Sequence, residues 1–156
     1  MYSQTAEYAL RAMSCMALYE DLVATPVLAE QTKVPANYLA KVLQLLAAAS
    51  LIQGRRGVGG GYKLSRPADK ITLLEVINAI DKIERIESCP LGLSNHGKLL
   101  CPLHRRVDQA AAKIIEIFSG VTLKDLVSDP MSPKPLCDAK AAAQLAVGGK
   151  MPSGRS

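Results

Sequence analysis

The chain has 156 residues, 49% of them hydrophobic, enough to bury a core in one domain plus appendages. Aromatic residues make up 4%, with no Trp and one Phe, so the core must be built from Leu, Ile, Val, Ala and Met, which suits helices. The formal net charge is +5, and residues 1–66 hold seven Lys/Arg against four acids while residues 67–128 hold eight of each. The excess that favours a polyanionic partner therefore sits in the N-terminal part and in the tail after Asp129. No apolar run approaches the ~18 residues of a membrane span. The polar residues 1–7 lack the pattern of a signal peptide. The expectation is a cytoplasmic protein with no membrane partner. Of the four cysteines, Cys15, Cys89, Cys101 and Cys137, any that cluster point to metal or redox use rather than to a disulfide framework.

Residues 3–20 read as a helix, with Ala6, Ala9, Leu10, Met13, Met16 and Ala17 at helical spacing. Thr25-Pro26 opens a second short helix over 26–32, Thr25 as N-cap and Pro26 at the first helical position. After a turn at 33–35, a third helix runs over 36–49 with Leu39, Val42, Leu43, Leu46 and Ala47 inward. Two short helices joined by a tight turn form the helix-turn-helix pattern. The period then changes. Residues 51–53 form a short strand, 54–61 a glycine-rich hairpin and 62–64 the returning strand, which together make a wing. Thr72 caps a further helix, with Glu75 three residues on as a capping box, and Leu73, Val76, Ile77 and Ile80 facing inward. Asp81, Glu84 and Glu87 invite a carboxylate-catalysis reading, but at helical spacing they read as a solvated face. Residues 86–102 form an irregular loop punctuated by Pro90, Gly92, Gly97 and Pro102. Residues 103–119 are helical again, and Leu103, Val107, Ala110, Ile114, Ile117 and Phe118 make one apolar stripe suited to dimerisation. Thr122 caps a last helix over 123–128. The fold class is mostly α with a small β-hairpin wing. Residues 1–66 form the winged helix-turn-helix domain, 67–128 the linking helix, cysteine loop and dimerisation helix, and 129–156 a tail expected to be mobile.

A recognition helix presents polar groups from its N-terminal end to base edges in the major groove. Asn37, Tyr38, Lys41 and Gln44 begin the third helix, and Asn37, Lys41 and Gln44 share one outward face. On its own that face would equally be solvated surface. The wing adds Arg55 and Arg56 at a hairpin tip whose glycines, Gly59 and Gly60 among them, permit close backbone approach to a phosphate or groove wall. A phosphate-cradling loop of the nucleotide-binding kind is excluded, because no GK[ST] follows and no long helix starts at Gly61. The implied partner is double-stranded DNA.

Four segments carry a resemblance: Glu7-Tyr8-Ala9-Leu10-Arg11-Ala12-Met13, Asn37-Tyr38-Leu39, the wing Arg56-Gly57-Val58-Gly59-Gly60-Gly61-Tyr62, and Thr72-Leu73-Leu74-Glu75-Val76-Ile77. Together they resemble the IscR/NsrR family of Rrf-type regulators over roughly residues 1–128. The resemblance implies a winged helix-turn-helix, a homodimer on a long helix, a palindromic operator and often an iron–sulfur cluster. It would put Arg56 in the minor groove, and Asn37, Tyr38 and Lys41 at the major groove.

Cys89, Cys101 and His104 form C-x11-C-x2-H, with Cys101-Pro102 at a helix start, where the helix dipole favours a thiolate. His104 lies on the same face as Cys101, and His96 lies within the loop. Cluster-binding members of the family resemble this at both ends but carry a middle cysteine, whose place Asn95 takes here. The resemblance implies a 2Fe–2S cluster on Cys89, Cys101 and His104, its fourth ligand His96 or Glu7 of the partner subunit. The residues leave other readings open: a metal-free redox thiol pair, a zinc site with His96 and His104, or inert cysteines, so the alternative function is a metal-free regulator that answers to thiol oxidation or to a protein partner. A Cys101/His104 nucleophile–base pair would suit an enzyme, but no orienting group or substrate motif accompanies it, so the chain reads as a non-enzyme. Cys15 reads as core, and Cys137 has no specific role.

Overall fold

A computed structural model describes residues 2–92 and 99–129. Helix α1 (Gln4–Ala17) is the centre of the fold. Ser3 caps it through its hydroxyl, which accepts the Ala6 N–H, and Ala6, Ala9, Ala12, Met13, Cys15 and Met16 are buried along it. Small alanines at that spacing let neighbouring helices approach closely, and α1 packs against α2, α3, α4 and α6. Helices α2 (Thr25–Thr32) and α3 (Ala36–Ala48) form the helix-turn-helix, turning at Lys33, which adopts the left-handed conformation at φ 55°. The expected N-cap at Thr25 is corrected: Ala24 occupies that position, Thr25 is already helical, and no side chain caps α2. Ala47 is exposed rather than inward, leaving Leu39, Val42, Leu43 and Leu46 as the buried face of α3.

The end of α3 is closed by its own backbone. Ser50 takes φ 58°, its N–H donates to the Ala47 carbonyl, and the Leu51 N–H donates to the Leu46 carbonyl. These two bonds satisfy carbonyls that a helix end leaves open and deliver buried Leu51 to the start of the wing. Strands β1 (Ile52–Arg55) and β2 (Gly61–Leu64) pair antiparallel with Ile52 opposite Leu64 and Arg55 opposite Gly61. Val23 adds a third edge by exchanging two backbone hydrogen bonds with Tyr62, at 2.8 and 2.9 Å. A side chain at Gly61 would collide with the Val23 carbonyl, so the glycine is what lets the wing dock beside α2.

A 3-10 turn over Ala68–Lys70 leads to α4 (Leu73–Asn78), where Thr72 and Glu75 form the expected capping box. Helix α4 ends at Asn78, whose carboxamide oxygen accepts the Ile83 N–H. Asp81, Glu84 and Glu87 therefore lie outside any helix, a correction to their expected helical spacing, and all three are exposed. Helix α5 spans Pro102–Ser119 and α6 spans Leu123–Ser128. Thr122 and Asp125 repeat the capping box of Thr72 and Glu75, and the two cap segments pair: Leu73 N–H donates to the Val121 carbonyl and Leu123 N–H to the Ile71 carbonyl, each at 3.0 Å. The far end of α5 is thus bonded to the core that carries the helix-turn-helix. One apolar cluster runs from Ala9 and Met13 through Leu39 and Leu46 to Ile71, Val76 and Leu123.

Candidate nucleic-acid interface and cysteine loop

Asn37, Tyr38, Lys41 and Gln44 all project from α3 into solvent. Tyr38 is buttressed: its ring meets the Tyr8 ring edge-on at 6.1 Å, and the Arg11 guanidinium lies over Tyr8 at 5.7 Å. Arg11 also donates to Glu7 at 2.6 and 2.8 Å and to the Thr32 carbonyl at 3.3 Å, tying α1 to the end of α2 just before the turn. The two wing arginines differ. Arg55 donates to the Gly59 carbonyl at 2.8 Å and so braces the hairpin tip, while Arg56 projects with no hydrogen bond or ion pair among the described residues. Gly60 closes the tip by donating to the Gly57 carbonyl, and a Cβ there would strike the Arg55 carbonyl. Between the wing and Ala24, Thr25 and Pro26 lies an open groove of about 670 Å³ lined by Arg55 and Arg56.

The capping of the helices follows a pattern. Side-chain oxygens cap α1, α4 and α6. Helices α2, α3 and α5 have no side-chain cap. A first turn without such a cap leaves N–H groups and a positive dipole end that suit an anionic partner. Two of these helices begin at the helix-turn-helix and one at the cysteine loop.

Cys101 is the N-cap of α5, and Pro102 follows at the helix start, as the sequence implies. The Cys101 Sγ lies 3.3 Å from the His104 Nδ1, both residues half-buried. Cys89 is buried, and its carbonyl accepts the Gly92 N–H in a turn that Gly92 completes at φ 62°. Among the described residues, no group of three or more His, Cys, Asp and Glu side chains is gathered for a metal ion. The donor types suit a thiolate- and imidazole-ligated centre, and the structure brings Cys101 and His104 of that set into contact. His96, Asn95 and Cys137 lie outside the described residues, and Glu7 is engaged by Arg11 of its own chain. Cys15 is separate. It is buried in the core, where its thiol donates to Gln31 Oε1 at 3.0 Å and burial pushes its pKa up to about 12.

Asp108, one turn past His104, is buried and accepts a forked pair of bonds from Arg85 Nε and Nη2, each 2.6 Å, plus the Ile86 N–H at 2.9 Å. The Arg85 guanidinium and that N–H hold the Asp108 carboxyl down at about 2. The two partners are far apart in sequence, and only the presence of a lone acid on an otherwise inward face of α5 could have signalled the pair.

Helix α5 has two faces. His104, Asp108, Ala111, Ile115 and Phe118 are at least partly shielded by their own chain. Leu103, Val107 and Ile117 are 67%, 48% and 60% exposed, Ala110 is exposed and Ile114 is half-buried between the faces. Phe118 sits apart from that open stripe: it packs on the core and meets the Tyr2 ring at 5.9 Å. No helix among the described residues is long and apolar enough to cross a membrane.

Comparison with known proteins agrees with this geometry. The family model described as Rrf2, iron-dependent transcriptional regulator, matches residues 2–129. An HTH-type transcriptional regulator of Aquifex aeolicus is 31% identical over 132 residues, covering 82% of this chain and 92% of the relative. The regulator IscR of Vibrio vulnificus is 29% identical, covering 78% and 74%. Among solved structures, IscR of T. potens superposes with a TM-score of 0.68 at 22% identity, covering 85% of this chain and 93% of that one. CymR, the global cysteine regulator of B. subtilis, does so with a TM-score of 0.68 at 25% identity, covering 82% and 96%. These neighbours share the winged helix-turn-helix architecture, and the relatives are transcription regulators rather than enzymes. The chain is a DNA-binding transcriptional regulator that belongs to the Rrf2 family.

Proposed function

We propose that this regulator is a cytoplasmic repressor that binds a palindromic operator as a homodimer and that an iron–sulfur centre at the cysteine loop modulates that binding. Two copies would join through the open face of α5, because Leu103, Val107 and Ile117 otherwise stand in water. Each copy then offers one recognition helix, with Asn37, Tyr38, Lys41 and Gln44 toward the bases and Arg56 toward the minor groove. The half-sites would lie about one helical turn, roughly 34 Å, apart.

The observation that carries the regulatory part is the contact of Cys101 with His104 at the uncapped start of α5. Cys89, Cys101 and His104 would hold a 2Fe–2S cluster, with His96 or Glu7 of the partner subunit as fourth ligand. When bound, such a cluster supplies a centre whose charge and occupancy respond to oxidation and to iron supply. The chain's own residues carry the response. The loop sits on α5, and the α5 end is bonded through Val121 and Leu123 to the segment beside α4, which packs on α1. The centre regulates only as far as it favours one spacing of the two reading heads over another. The test is anaerobic reconstitution with iron and sulfide, with visible absorption and iron content as readouts. Cys89→Ala and Cys101→Ala abolish uptake, and His104→Ala leaves an altered spectrum.

The Cys101–His104 contact also suits a second reading, a metal-free regulator in which Cys89 and Cys101 answer to thiol oxidation or the loop answers to a protein partner. Colourless protein with operator affinity that follows thiol oxidation selects that reading.

A further inference from the structure

Asp108 is the one carboxylate among the described residues that is buried, and neither DNA binding nor the dimer face uses it. Its partners come from the irregular segment that leads to Cys89. Cys101, His104 and Asp108 follow one another along the inward face of α5, so the anchor for the incoming segment lies on the same line as the Cys101–His104 pair.

We propose that Arg85 and Asp108 are positioning residues of the cysteine site: their forked ion pair, with the Ile86 N–H, fixes how far Cys89 stands from Cys101 and His104. The proposal rests on reading those three residues as one ligand set. Reach supports it. From Ile86 to Cys89 the chain advances three residues, so Cys89 stays within about 10 Å of its anchor. Along α5, His104 lies about 6 Å and Cys101 about 10 Å from Asp108, the same range. The next anchor upstream is the Ile83 N–H on Asn78 Oδ1. With only that one, six residues and about 20 Å of chain would separate the anchor from Cys89. The clip thus halves the reach of the loop. The fork matters as well as the charge, because two parallel N–H bonds fix orientation where a lysine would supply a point charge.

The test uses the full chain with Cys137→Ser, metal-free and reduced. A short bis-maleimide is added, and peptide mass mapping gives the ratio of Cys89–Cys101 bridging to single addition. Arg85→Ala and Asp108→Asn are expected to lower that ratio at least fivefold, and Arg85→Lys is expected to recover part of it. In anaerobic reconstitution the same variants should lose roughly tenfold in iron affinity, as removal of an outer-shell partner does. Variants that melt earlier yet bridge Cys89 to Cys101 as the wild type does would make the pair purely structural and overturn the proposal. A wild type that fails to bridge the two thiols overturns it too. If the wild type bridges them and the variants do not, but no preparation takes up iron, the clip stands and the cluster reading fails.

Discussion

Ile117→Asp separates the dimer face from the stability of the single chain. Ile117 is 60% exposed in the monomer, so a carboxylate there stays hydrated and the chain should fold with a near-normal melting temperature. In the proposed symmetric pair the same position would be buried. Leu103, Val107 and Ile117, at 67%, 48% and 60% exposure, offer the equivalent of roughly two full side chains per protomer. At about 1.5–3 kcal/mol for each aliphatic side chain fully buried, they contribute on the order of 7 kcal/mol to a symmetric pair before association costs. The substitution removes part of that burial and places an unpaired carboxylate in the seam twice, once from each chain. An uncompensated buried charge costs about 3–5 kcal/mol, so the dimer Kd should rise at least a thousandfold. Half-buried Ile114 is a poorer probe, since Asp there would disturb the monomer as well. Sedimentation equilibrium reads the Kd, and thermal circular dichroism controls for folding. A folded Ile117→Asp variant that dimerises with wild-type affinity would refute the assignment of this face.

Arg56→Ala should weaken operator binding at every salt concentration and blunt discrimination by minor-groove width, whereas Lys41→Ala should reduce the salt slope by about one; fluorescence anisotropy across a salt series distinguishes them. Gly60→Ala should disorder the wing tip and lower DNA affinity with little change in melting temperature, because the new Cβ strikes the exposed hairpin rather than the core. Cys15 should resist thiol reagents in the native protein at pH 8 and react on unfolding. Because its pKa is raised from 9.0 to about 12, its contribution to stability is complete below pH 9 and fades as pH rises through 12, which base titration of the melting temperature reads. The Arg85–Asp108 clip has the opposite sign. With Asp108 held at about 2, the contribution is complete above pH 4 and is lost as pH falls through 2, so hydrogen exchange across residues 82–92 should be flat from pH 7 to pH 4 once corrected for intrinsic rates.

Much of the architecture was legible because its signals are local. The Thr72–Glu75 box, the Thr122 cap and Pro102 at the start of α5 each fix a helix end within four residues, and the change of period at Leu51 marks the wing. The errors fell where a neighbour in space decides. Ala24 rather than Thr25 caps α2 because Val23 is held in the sheet by Tyr62, which sets where the helix can begin. The acids after Asn78 keep a helical spacing in the sequence, yet the chain has already left the helix, with the Asn78 side chain accepting the Ile83 N–H. Phe118 shares the apolar spacing of Leu103 and Ile117 but finds Tyr2 and the core. The residues proposed to face DNA come from the wing motif and the polar start of α3, and the structure leaves them exposed. The cysteine site was legible only in part. The Cys101–His104 contact follows from helical spacing, whereas the Arg85–Asp108 pair, proposed to anchor Cys89, joins residues 23 apart.

Occupancy of the cysteine loop is proposed to alter DNA binding. Its most direct test is the affinity of anaerobically iron- and sulfide-reconstituted protein against metal-free protein, at one fixed salt concentration, for a site selected from a random-sequence pool. The selected site should be an imperfect palindrome, the reconstituted dimer should hold iron, and the two affinities for that site should differ by about tenfold or more. Reconstituted protein that takes up no iron, and binds the site identically with its thiols reduced or oxidised, would contradict the proposal.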